Sequence, residues 1–301
     1  MTDKTKPENV DTPKGLVLAI TAYVLWGFLP LYLKALSHIP AAEVVAHRVI
    51  WSVPIAGAVL IVTGRTRDLR DAISNPKMLL LAVLTAALIS VNWGIYIYAI
   101  STNQAIEAAL GYYINPLFSI FLGTMLLGER MTRAQGVAVA LAAVAVVILT
   151  VETGHLPLVA LSLTLTWGFY AFFKKSLAIG PNQGFMLEVL ILLIPALGYA
   201  IWLAVTGEGH FLTSSVSDTS LLIGCGLVTA VPLMIYANGA KLVRLSTIGI
   251  LQYIAPTMIF IVAVFVFGEP FGGAKLVAFP LIWLALIIYT TSLVRGMRRN
   301  R

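Results

Sequence analysis

Glu43, His47 and Trp51 recur every fourth residue, with Arg48 beside them, in a stretch of chain that is otherwise almost wholly apolar. On a helix that interval aligns the carboxylate, the imidazole and the indole on one stripe. An acid and an imidazole so placed could pass protons, and the guanidinium could hold an anionic group or gate access to it. Glu107, Gly111, Asn115, Ser119 and Gly123 form a second stripe at the same spacing, and Glu188 is a further acid among apolar neighbours. Tyr23, Trp26, Gly27, Pro30 and Lys34 share a face, and Thr164, Trp167, Gly168, Ala171 and Lys175 mirror it. Thr85, Asn92, Tyr96, Tyr112, Tyr236, Asn238 and Gln252 add neutral polar groups. Together they suit a wet cavity with aromatic walls, holding an amphipathic or zwitterionic metabolite. Each motif also has a plainer use. Small-residue stripes close helix contacts. Trp26 beside Gly27 can be packing, and Lys34 and Lys175 can reach for the interface. His47 can be a bonded packing residue, and Arg48 can close one end of the bundle in an ion pair with Glu43 or Glu107.

Other chemistries find little support. Asp68 and Asp71 are spaced like a metal pair, but Arg65, Arg67 and Arg70 compete for both carboxylates. His38, His47, His155 and His210 lack metal-ligand spacing, and Cys225 is the single cysteine. No phosphate-binding loop occurs, which argues against ATP-driven work within this chain. We therefore expect no enzyme, no metal site and no cofactor.

The elements that must carry these residues are membrane helices. Hydrophobic residues make up 59% of the chain and charged residues 11%, against about 25% charged in soluble domains. Ten apolar runs are long enough to cross a bilayer, at roughly 14–35, 42–63, 77–100, 104–127, 132–150, 156–175, 183–205, 218–239, 244–267 and 272–294. Lipid forces each run to satisfy its own backbone hydrogen bonds, which selects helix. Residues 1–13, polar and with Pro7 and Pro13, read as a disordered cytoplasmic tail. Of the 20 lysines and arginines, 17 fall before segment 1, after segment 10 or in the even-to-odd connections. That bias puts both termini in the cytoplasm. It also explains the net charge of +7 without nucleic acid, since the charges are spread over short loops facing anionic lipid.

The chain then repeats. Trp26-Gly27-Phe28 returns as Trp167-Gly168-Phe169 after 141 residues, and Lys34 returns as Lys175. Tyr113-Ile114-Asn115-Pro116 with Gly128-Glu129 returns as Tyr253-Ile254-Ala255-Pro256 with Gly268-Glu269 after 140. Glu188 falls 141 residues after His47, placing titratable groups near opposite ends of the cavity. Five segments per copy is an odd number, so the second copy enters the membrane from the opposite side. This gives an all-α membrane protein: two inverted five-helix repeats, 14–150 and 151–301, the arrangement that supports alternating access. A channel would share the inverted repeat.

Trp26-Gly27-Phe28-Leu29-Pro30, Glu43, Ala46-His47-Arg48 and Trp51-Ser52 resemble the start of RarD-type proteins. Asn92-Trp93-Gly94, Gly111-Tyr112-Tyr113-Ile114-Asn115-Pro116 and Leu127-Gly128-Glu129-Arg130 extend the resemblance, which covers about 14–295. RarD-type proteins are a branch of the EamA group in the drug/metabolite transporter superfamily. The resemblance implies ten helices, the bacterial inner membrane and export of small metabolites or drugs, with a family name linked to chloramphenicol sensitivity. The expected substrate contacts or gates are Tyr23, Trp26, Glu43, His47, Arg48, Asn92, Tyr96, Tyr112, Asn115, Trp167, Tyr236 and Gln252. Glu107 and Glu188 are the candidates for proton coupling. Segments 5 and 10, nearly free of polar groups, belong at the periphery, against lipid or in a homodimer contact. The rival class is a lipid-moving protein or a membrane sensor without solute flux.

Overall fold

The computed structural model describes residues 12–64, 66, 69, 73–127, 131–175, 177, 179–243 and 245–299. The N-terminal tail, Gly128-Glu129-Arg130, Arg244, Arg301 and most of the 65–72 charge cluster with its Asp68–Asp71 pair lie outside these residues, as does the Lys175 side chain. Helices α1 (Pro13–Ala35), α2 (Ala41–Val62), α3 (Pro76–Ser101), α4 (Ala105–Leu127), α5 (Arg133–Thr153), α6 (Leu158–Lys175), α7 (Pro181–Thr206) and α8 (Val216–Gly239) follow the first eight apolar segments to within about three residues. The chain ends with α9 (Leu245–Leu251), α10 (Ile254–Ile261), a wider turn over Val262–Val266 and α11 (Lys275–Arg299). Among the described residues, eight helices are long and apolar enough to cross a membrane, and Leu158–Lys174 and Ile254–Val266 are shorter apolar helices.

Local chemistry sets the helix ends. Thr12 accepts from Gly15 N at 3.1 Å and Asn75 from Lys77 N at 3.1 Å, each just before a proline that needs no N–H partner. Thr132 and Gln135 form a reciprocal cap on α5, which stops at Gly154 with φ 72°. The ninth segment departs from the single helix expected over 244–267. Pro256 has no N–H to offer the carbonyl of residue 252 and its ring crowds that carbonyl. The break falls there, between α9 and α10. Pro116, its counterpart in α4, leaves that helix continuous.

Helix pairing organises the bundle. α1 packs on α8, as α6 packs on α3. α2 packs on α7 and on α8, α4 on α6, α1 on α10, and α5 on α11. The α5–α11 pair lies at the edge, where α5 leaves Val137, Val144, Val147 and Val151 exposed. Gly111 lets α4 close on α6, since a β-carbon there would sit 2.7 Å from the Ala160 carbonyl.

Candidate functional site

On one face of the bundle, hydrogen bonds knit together the connections that follow α1, α3, α5, α7 and α10. Lys34 Nζ, at the end of α1, donates to Asn103 Oδ1 in the α3–α4 turn at 2.6 Å. His38 contacts Asp218 at 3.0 Å, joining the α1–α2 connection to the start of α8. Glu269 accepts from Ala105 N at 2.7 Å and Ile106 N at 2.9 Å, fixing the α10–α11 connection to the α4 N-terminus, and Glu152 accepts from Ala274 N at 2.6 Å. Glu43 is buried beneath the α7–α8 connection. Its carboxylate accepts from His210 N at 2.7 Å and Phe211 N at 3.3 Å, and meets His210 Nδ1 at 2.8 Å. Phe211 is thereby held 4.7 Å from the His47 ring and 6.0 Å from Trp51. Trp51 Nε1 donates to His47 Nδ1 at 3.1 Å.

Arg48 lies below this plug, 4% exposed. Its Nε donates to Thr229 Oγ1 on α8 at 2.9 Å, and its guanidinium sits 4.6 Å from the Trp93 ring centre on α3. Neither carboxylate expected to pair with it does so: Glu43 is engaged by the α7–α8 connection, and Glu107 lies elsewhere. Glu107 accepts from the backbone of Val159 and Ala160 at the start of α6, beside a cavity of about 30 Å³ that His155 and Lys275 also line. The dipole of α6 explains an acid there, because a helix N-terminus carries partial positive charge.

Two aromatic clusters fill the middle of the bundle. Tyr23, Trp26 and Tyr236 stand with ring centres 5.4–5.6 Å apart. Tyr96 meets Tyr112 at 5.6 Å, Tyr112 meets Trp167 at 6.4 Å, and Trp167 meets Tyr170 at 5.6 Å. Asn92 ties α3 to α6 by donating to Leu163 O at 3.2 Å and Thr166 Oγ1 at 2.9 Å, and it accepts a 3.4 Å bond from Tyr112. Asn115 is 6% exposed and its Oδ1 has no protein donor. Asn238 is exposed and donates to Met234 O in its own helix at 2.8 Å. Gln252 falls in the break before α10, half-buried.

Toward the other face, Glu188 forms a 2.6 Å ion pair with Lys174 and accepts from the Tyr170 hydroxyl at 3.3 Å. Several of these partners were missed from the sequence: Thr229, Trp93, Lys174, Phe211 and Glu269. None belongs to a stripe shared with the residue it meets, so spacing along the chain gave no signal for the pairs.

Residues 13–151 match the EamA-like transporter family. Protein RarD of Streptomyces exfoliatus is 40% identical over 296 residues, covering 98% of this chain and 94% of that one. The chain belongs to this family, in its RarD-type branch. An uncharacterized transporter of Vibrio cholerae is 39% identical over 284 residues, 94% of each chain. A solved crystal structure aligns with TM-score 0.59 at 20% identity over 93% of this chain and 98% of its own, a likeness of fold alone. This EamA-family member is accordingly a multi-pass membrane protein of the transporter kind, and its central residues now have a geometry that such work can be tested against.

Proposed function

We propose that this protein is a secondary transporter that exports a small amphipathic metabolite or drug across the bacterial inner membrane by alternating access. The two inverted repeats, 14–150 and 151–301, would rock about the aromatic centre with both termini cytoplasmic. The observation that carries the reading is a largely buried polar and aromatic centre with a separable contact toward each end: Glu43 on the α7–α8 connection, and Lys174 with Glu188. The exchange-symmetric pairing of α1 on α8 and α6 on α3 supports an inverted repeat. Its partners would be the solute and surrounding lipid, with the outward valines of α5 as the surface through which a homodimer would form.

Glu188 is the stronger of the two acids for proton coupling, since a proton on it would release Lys174 and unlock that end. Glu107 serves the α6 N-terminus. If transport driven by a pH gradient survives both Glu188→Gln and Glu107→Gln, coupling through these acids is wrong.

The decisive test is flux in proteoliposomes. Labelled amino acids, phenicol antibiotics and small organic acids would be offered with and without a pH gradient. Saturable, gradient-driven accumulation is expected for one class. A second reading, lipid movement, is favoured by one feature: an apolar crevice of about 540 Å³ between α4, α10 and α11, open to the outside of the bundle and lined by Tyr113, Phe260 and Trp283. Lipid scrambling without flux of any solute would select it.

A further inference from the structure

Arg48 brings a full positive charge into the buried core. Among the described residues, no carboxylate lies within ion-pair distance of it; Glu43 is held by His210 and Glu188 by Lys174. Cys225, Tyr112 and Tyr96 also stand close enough to interact with its charge. Thr229 Oγ1 accepts a hydrogen bond from Nε, but Nη1 is buried with no acceptor among the described residues. The Trp93 ring, centred 4.6 Å from the guanidinium carbon, offers a cation–π contact but no hydrogen-bond acceptor for Nη1. A membrane-buried cation in that condition is costly and marks a place where something else meets the charge.

The surrounding hydroxyls tell the same story. Among the described residues Tyr96 is 3% exposed and its hydroxyl has no partner, and Ser52, one helical turn from Arg48 on α2, is fully buried and its hydroxyl has none either. Nη1 and the Tyr96 hydroxyl are unspent donors beside one positive charge, Ser52 adds a third a helical turn along α2, and Trp93 and Tyr112 supply ring faces. A planar guanidinium with hydroxyl donors matches a carboxylate. A zwitterion would bring an ammonium into a region whose one charged group is already a cation.

We propose that Arg48, Tyr96 and Ser52 form the anion-holding end of the substrate site, and that the site takes an amphipathic organic monocarboxylate in preference to a zwitterion. The assignment rests on the transporter reading for its route of access, whereas binding can be measured without flux. A bound carboxylate would neutralise Arg48 and favour closure over the loaded site.

The test is calorimetric titration of the purified protein with phenylacetate, phenylacetamide, phenylalanine and decanoate, on the parent chain and on Tyr96→Phe and Arg48→Gln. Phenylacetate should bind saturably, and the amide and the amino acid at least about tenfold more weakly, because neither satisfies the guanidinium without a penalty. Tyr96→Phe removes a hydroxyl that bonds nothing in the protein, so its melting temperature should hold while phenylacetate affinity falls several-fold. A merely structural tyrosine would not show that split. Arg48→Gln should abolish binding. Equal binding of the amide or the zwitterion, unchanged affinity in both variants, or no binding by either acid would overturn the assignment. Arg48-dependent binding of decanoate alone would keep the carboxylate site and assign its supply to the bilayer. Arg48-dependent binding without flux would sink the transporter reading and spare the site; flux that survives Arg48→Gln would do the reverse.

Discussion

Replacing Glu43 by glutamine should loosen the plug over the core, and the single cysteine of the chain can report it. Cys225 is fully buried on α8, beside Arg48 and the Tyr32 hydroxyl and one residue from Gly226, where α8 touches the Trp51 backbone. Phe211 packs on Trp51 just above. A membrane-impermeant thiol reagent therefore reaches Cys225 from this side when the α7–α8 connection lifts. Glutamine keeps one oxygen for the His210 and Phe211 amides but loses the charge and turns an NH₂ group toward His210. A bond to a charged acceptor contributes about 1.5–3 kcal/mol and a neutral one about 0.5–1.5 kcal/mol. His210 retains 28% side-chain exposure, so water softens the loss. A shift of about 1.4 kcal/mol is reasonable, equal to about tenfold in the opening equilibrium. When reclosing outpaces the reagent, labelling rate follows the open population. Glu43→Gln should then label Cys225 about tenfold faster than the parent, within the range those bond energies allow. If the rate changes less than about twofold, a span below the roughly 0.4 kcal/mol scatter of additivity, Glu43 does not hold this face closed.

Three further outcomes follow from single contacts. Gly111→Ala should lower the thermal unfolding temperature in detergent at a cost of about 1–3 kcal/mol, because the new methyl meets the Ala160 backbone, which has nowhere to go. Gly198→Ala, with no atom within 4 Å, should not. Glu188→Gln strands Lys174 in a largely buried place and should cost toward the lower end of about 3–5 kcal/mol, since Lys174 keeps 22% exposure; adding Lys174→Met should recover most of it, and failure to recover would refute the ion-pair account. Glu269→Gln should speed amide hydrogen exchange at Ala105 and Ile106 several-fold, as a charged cap on the α4 N-terminus contributes about 1 kcal/mol. Exchange unchanged there would mean that the cap contributes nothing.

The positions of the helices were legible because hydropathy acts on each segment alone. Any run that must face lipid declares its length, and Thr12, Asn75 and Thr132 mark where helices begin whatever lies beside them. The break before α10 was half-legible: Pro256 announces a lost hydrogen bond, but Pro116 in the same register is absorbed within a continuous α4. Which of two equivalent prolines breaks its helix depends on neighbours, not on the proline.

Sequence alone thus determined that this chain is a set of membrane-length helices, with repeated Trp-Gly-Phe and Gly-Glu landmarks and polar stripes carrying Glu43, His47, Arg48, Asn115 and Glu188. Those features are written in properties a residue has by itself: transfer free energy, a missing N–H, a charge. Tertiary structure decided the pairings. Glu43 went to the α7–α8 connection, Glu107 to the start of α6, Glu188 to Lys174, and Arg48 was left with Thr229, Trp93 and, among the described residues, no acid. A carboxylate has the same chemistry in all three places. Where it ends up is set by which helix ends the packing of α2, α6, α7 and α8 brings within about 3 Å, the reach of a hydrogen bond.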